Sequence, residues 1–94
     1  MVKYAKDEYK FMKFQKSKNP KKKYDAVLQS KKTGRLVRVP FGAVGYSTYH
    51  DKTGLGLYST HGDEKRRASY RARHKGFLKP GFYTPAFFSW EYLW

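Results

Sequence analysis

The chain predicts an α+β fold: a small antiparallel sheet, one basic helix and an aromatic C-terminal segment, all within one domain. Three observations predict it. Tyr24 to Gln29 and Arg35 to Phe41 are runs of strand-forming residues on either side of a polar turn, Ser30 to Gly34. Residues 63–75 (DEKRRASYRARHK) carry helix signals at both ends. Residues 76–94 hold eight of the 18 aromatic residues with only one acid and one base, which marks a segment to be buried.

The elements follow in chain order. Residues 1–23 read as a basic N-terminal arm or a short helix. Over 3–16, Val2, Ala5, Tyr9 and Met12 share one side of a helical projection, while Lys3, Lys6, Lys10 and Lys13 line another. A lone helix of that length is marginal in water, so it forms only if docked. Lys16 to Lys23 reads as a linker, because Asn19-Pro20 breaks a helix and Lys21, Lys22 and Lys23 repel one another. Residues 24–94 form the single α+β domain, opening on the hairpin over 24–41. In its second strand Val37, Val39 and Phe41 alternate toward one face, and Pro40, with no amide hydrogen, belongs at a strand end or on an edge. Residues 42–62 contain five glycines, which predicts tight turns around short strands, with Leu55 to Tyr58 as a third strand. Asp63 is the N-cap of the helix, Glu64 suits its positive end, Arg73, His74 and Lys75 suit its negative end, and Gly76 stops it. Ala68 and Ala72, one turn apart, predict close packing against a neighbour. Pro80-Gly81 reads as a turn. Thr84-Pro85 reads as an N-cap and first helical position.

Charge dominates the functional reading. Lys and Arg total 21 against seven acids, a net charge of +14. Such a chain repels itself unless counter-charge is near, and the common sources are nucleic-acid phosphate, an acidic protein surface or anionic lipid. The imbalance is concentrated in residues 1–23, at +7, and in residues 63–75, at +4. The candidate polyanion-binding residues are therefore Lys21, Lys22 and Lys23, Lys31 and Lys32 at the hairpin tip, and Arg67 and Arg71 on one helix face. Arginine adds a planar fork that grips phosphate and stacks on rings. Phe87, Phe88, Trp90 and Trp94 are the candidate anchors to a protein partner.

Catalytic constellations are not visible. The sequence has no G-x-S-x-G elbow and no G-x-x-x-x-G-K-[ST] loop. His50, His61 and His74 lack metal-ligand spacing, and cysteine is absent. The sequence thus predicts no catalytic residue, no metal and no cofactor. No apolar run approaches the roughly 20 residues of a membrane span. The N-terminus, with Asp7 and Glu8 after Lys3 and Lys6, does not resemble a secretory signal.

From residue 58 onward the chain resembles a family of small, uncharacterised basic proteins encoded by giant and other large double-stranded DNA viruses. Tyr58, His61, Asp63, Arg66, Tyr70, Arg73 and His74 carry the resemblance, and Thr84, Phe88, Ser89, Leu93 and Trp94 extend it. The resemblance implies a viral origin, a virion or virus-factory location and a short α+β module, with Arg66 and Arg73 serving structure rather than a ligand. The resulting expectation is a non-enzymatic viral structural protein, a minor capsid or core-associated component, whose basic surface meets genome or an acidic capsid protein. The alternative is a free nucleic-acid-binding protein of viral replication, transcription or packaging. An enzyme using His61 or His74 as acid–base is a third class.

Overall fold

The computed structural model describes residues 3–78 and 81–94. In chain order the elements are β1 (Tyr4–Ala5), β2 (Tyr9–Lys16), β3 (Lys22–Ser30), β4 (Leu36–Ala43), α1 (Glu64–His74), a 3-10 turn (Lys75–Phe77), β5 (Phe82–Tyr83) and α2 (Pro85–Tyr92). Strands β2, β3 and β4 form an antiparallel sheet with β3 central, and β1 pairs with β5 in a separate two-stranded ribbon. The α+β expectation holds, as does the hairpin, whose turn closes through Gly34 at φ +74° with its N–H bonded to the Ser30 carbonyl. Pro40 lies on the edge strand, where its missing donor faces no partner.

The N-terminal helix is a correction. Residues 9–16 form the third strand of the sheet, and the reason lies in one bulge. Phe11 pairs with Leu28 and Lys13 with Val27, so Met12 is an extra residue in β2. The bulge places Tyr9, Phe11 and Phe14 on one face at spacings of two and three. That spacing hides a strand's alternation and imitates a helix's. Val2, part of the predicted helical face, lies outside the described residues. Lys6 N–H bonds to the Gly81 carbonyl (2.8 Å) beside the β1–β5 pair, so residues 4–6 are clasped to the C-terminal segment. Pro80 of the predicted turn also lies outside the described residues; Gly81 has φ +84°.

The core forms where α2 lies on the sheet. Tyr24, Ala26 and Leu28 of β3 and Val39 and Phe41 of β4 present one buried face, which Phe88 and Leu93 close. Phe88 is 1% exposed, with its ring centroid 5.5 Å from Phe41, 5.9 Å from Phe14 and 6.0 Å from Phe11. Full burial of such a side chain contributes roughly 1.5–3 kcal/mol. Thr84 is fully buried and its Oγ1 accepts from Phe87 N–H (3.1 Å), as its N-cap reading requires. Gly42 shows why no other residue fits there: at φ +79°, an added Cβ would stand 3.0 Å from Leu93 Cδ1 and 3.3 Å from Lys23 Cβ.

Helix α1 begins as predicted, with the Asp63 carboxylate accepting from Lys65 N–H (2.9 Å) and Arg66 N–H (3.3 Å). It does not stop at Gly76; the chain continues through the 3-10 turn, and Gly76 is not among the glycines of positive φ. Ala68 and Ala72 face solvent rather than a neighbour. The packing face is built instead from Tyr70, Arg67, Arg71 and His74, since α1 contains no aliphatic residue larger than alanine.

Residues 44–62 hold no strand beyond an isolated bridge between Thr48 and Thr60, so Leu55 to Tyr58 is loop. Polar contacts fix this loop in place of a ladder. His50 N–H bonds to the Leu93 carbonyl (3.1 Å) and Lys52 N–H to the Tyr92 carbonyl (2.8 Å). The Tyr24 phenol donates to Asp51 and accepts from Leu57 N–H (3.1 Å).

Candidate functional site

The predicted basic residues separate into three groups. Lys21 is exposed, Lys22 is half-buried, and Lys31 and Lys32 are exposed in the β3–β4 turn. They sit at opposite ends of β3, about 26 Å apart at roughly 3.3 Å per residue, so they do not form one compact patch. Lys23 belongs elsewhere. It is 1% exposed, with Nζ 5.4 Å from the Tyr58 ring centroid. Burial pushes its pKa below the ordinary 10.5, and the Asp51 charge pulls the other way. A lysine so placed serves the loop and not an outside polyanion.

Arg67 and Arg71 are likewise occupied within the fold. Arg67 Nε donates to the Trp94 carbonyl (2.8 Å) while its guanidinium lies 4.7 Å from the Tyr49 ring centroid. Arg71 Nη2 donates to the same carbonyl (3.3 Å) and its guanidinium lies 4.6 Å from the Trp90 ring centroid. Planar guanidinium over an aromatic face is worth roughly 0.5–2 kcal/mol, which is how a helix without large aliphatics stays docked. The expected division is therefore reversed. Arg66 and Arg73 are the exposed arginines of α1, and Arg67 and Arg71 are the structural ones.

The predicted anchors change role for a similar reason. Phe88 is core, and Phe87 packs against it at 5.0 Å with Lys6 Nζ 4.0 Å from the Phe87 ring centroid. Trp90 lies under Arg71, and Trp94 stacks on Tyr70. The aromatic tail thus completes its own domain, because a chain this short has little else with which to close its sheet.

A cleft of about 1040 Å³ opens between α1, the start of α2 and the Lys22/Ala43 end of the sheet. Lys22, Lys65, Arg66 and Arg73 line it together with His61 and His74, and no Asp or Glu is among its lining residues. Its back wall is a column of rings. Tyr70, nearly buried, lies 4.3 Å from Trp94 at 4° and 4.1 Å from His74 at 15°. The two histidines have assigned partners. His61 Nδ1 accepts from Asp63 N–H (2.9 Å), and His74 Nδ1–H donates to the Tyr70 carbonyl (3.0 Å). Among the described residues the only ion pairs are Arg66 with Asp63 (3.8 Å) and Arg67 with Glu64 (3.9 Å), both solvent-accessible and weak. The cleft's field is therefore positive and largely uncompensated.

Family comparison bears on this same region. A family profile matches residues 12–74, about two-thirds of the chain. The chain belongs to the DUF5754 family. That family is one of unknown function, and its match runs from the middle of β2 through α1. It includes every cation of the cleft and excludes Phe77 and Trp94, which supply part of its aromatic lining. No curated protein and no solved structure matches the chain.

A second basic surface lies on the open face of the sheet. The register sets Lys10, Lys13 and Gln15 of β2 and Arg38 of β4 on the face opposite the core, around Asp25 and Val27 of β3. Lys10, Lys13 and Arg38 are exposed. Sequence reasoning set Lys10 and Lys13 on the polar side of a helix rather than on a sheet, and singled out none of Lys10, Lys13, Arg38 and Lys65 as binding residues. A period-two reading interrupted at Met12 would have found the first two. Among the described residues no three His, Asp or Glu side chains converge as metal ligands, and no helix is long and apolar enough to cross a membrane.

Proposed function

We propose that this protein is a non-enzymatic structural protein that holds nucleic acid by its phosphates. Following the sequence resemblance, we place it in the virion of a large double-stranded DNA virus as a minor capsid or core-associated component. The observation that carries the reading is the cleft. Four Lys and Arg residues and two histidines converge there without a carboxylate among the lining residues. Apart from the weak, solvent-accessible pair of Arg66 with Asp63, these cations lack internal counter-charge and repel one another, and that cost is relieved when phosphates displace bulk counterions. The exposed Lys10, Lys13 and Arg38 extend the positive surface around the molecule.

Neutralising four phosphates on duplex DNA gives a slope of log affinity against log salt of about −3.6, and on a single strand about −2.8. Fluorescence anisotropy of labelled DNA titrated from low to physiological salt tests this. The expected slope is about −3 or steeper. An absence of binding at low salt, or an affinity indifferent to salt, overturns the reading.

A free nucleic-acid-binding protein of replication, transcription or packaging is the second reading. Burial of the aromatic tail within the domain favours it, since Phe88 and its neighbours no longer stand ready to anchor the chain in a capsid. Mass spectrometry of purified particles separates the two: high copy number supports the virion component, and absence supports the free binder.

A further inference from the structure

We infer that the cleft takes a single-stranded stretch of nucleic acid, with unstacked bases against Tyr46 and Phe77 and phosphates on Lys22, Lys65, Arg66 and Arg73. The inference rests on the nucleic-acid reading above and sharpens it from phosphate contact to strand type.

Two large rings stand open on the cleft's wall. Tyr46 is 74% exposed and Phe77 50% exposed, in a domain that otherwise buries or half-buries its aromatic side chains. Their backbones are fixed although their faces are free. Tyr46 N–H bonds to the Ala43 carbonyl (3.3 Å) just past β4, and Phe77 ends the 3-10 turn with its ring 5.7 Å from His74. The rings behind them are closed to insertion: Trp94, Tyr70 and His74 already lie at stacking distance, with no gap for a base. Tyr46 and Phe77 are therefore the most exposed rings of the cleft, and the four cations line the same cleft.

A ring face flanked by cations discriminates between strand types. In a duplex each base is covered above and below by its neighbours and offers only an edge. A single strand offers both phosphate and an uncovered π-face, and stacking on protein rings tolerates any base. A concave site near the upper end of small-ligand pocket volumes suits part of a flexible strand better than the convex side of a duplex.

The test compares labelled oligothymidylate with an abasic sugar-phosphate strand of equal length and charge, read by anisotropy on the full chain. One to three kcal/mol per stacked base corresponds to roughly 5- to 150-fold, and with two rings the intact chain is expected to prefer oligothymidylate by at least the one-base factor. The Tyr46→Ala, Phe77→Ala double variant, checked for native circular dichroism, is expected to bind both strands at the abasic level with the salt slope unchanged. Oligouridylate in a parallel titration separates RNA from DNA preference, and retention of the base effect with either strand supports the site. Equal binding of abasic and base-bearing strands overturns the inference while leaving the phosphate reading intact. So does undiminished affinity of the variant, or equal competition by duplex at matched charge; equal competition by polyglutamate, which carries no phosphate, overturns both readings. Failure of every polyanion to bind refutes both.

Discussion

Tyr24→Phe deletes one oxygen from the centre of the molecule and tests how the glycine-rich loop is held. The Tyr24 side chain is fully buried, and its hydroxyl donates to the Asp51 carboxylate while accepting from Leu57 N–H. Leu57 N–H loses its acceptor as well, a neutral hydrogen bond worth about 0.5–1.5 kcal/mol. The bond to ionised Asp51 is the larger loss, since hydrogen bonds to charged groups contribute about 1.5–3 kcal/mol. A loss of about 2 kcal/mol at neutral pH lowers the melting temperature by roughly 8–16 °C for a domain of this size. The pH dependence supplies a second check. Desolvation alone would raise the Asp51 pKa, but hydrogen bonds from Thr53 and Tyr24 and the Lys23 charge hold it below its ordinary 3.8. A depressed carboxylate stabilises the fold above the unfolded pKa, and that stability is lost as pH falls through the lower folded value. The gap between wild type and variant, measured by chemical denaturation, is therefore full above about pH 4 and narrows below it. A variant within about 0.5 kcal/mol of wild type at pH 7, a change typical of neutral surface substitutions, refutes this account of the loop.

Three further outcomes follow from the packing. Gly42→Ala combines a left-handed backbone with a Cβ 3.0 Å from Leu93, and is expected to cost about 2–4 kcal/mol in urea unfolding; Gly54→Ala, at φ +84° but in open space, is expected to cost about 1–2. Phe88→Ala empties the centre of the ring cluster and is expected to remove about 3–5 kcal/mol, enough to abolish a cooperative melt in a marginal domain, whereas Phe77→Ala stays within about 0.5. His50 titrates below its ordinary 6.5, first because it is desolvated and then because Lys52, Arg67 and Arg71 are near. The unfolded chain thus binds more protons below about pH 6.5, so stability falls on acidification through that window, and His50→Gln is expected to flatten the thermal-shift profile there.

Hairpin, helix start and second N-cap were legible because each is decided by neighbours in sequence. Gly34 sets the turn, Asp63 caps its own helix two and three residues on, and Thr84 does the same ahead of Pro85. The net positive charge was equally plain, and the partner class proposed here follows from it. Which cations are free was not legible. Lys21, Lys22 and Lys23 are consecutive, yet the pleat puts Lys22 toward the cleft and buries Lys23 against Tyr58. Arg66 and Arg67 are neighbours, yet the 100° step of a helix gives one to solvent and the other to Tyr49 and the Trp94 carbonyl. Composition and local chemistry by themselves determined the α+β class, the turn and caps, and the surplus of positive charge. Tertiary structure alone decided that residues 9–16 are a strand, that the aromatic tail closes its own sheet instead of a partner's surface, and which arginines remain open. Those outcomes depend on a one-residue bulge, which breaks the strand's alternation into a helix-like spacing, and on contacts between segments dozens of residues apart, which leave no periodic trace along the chain.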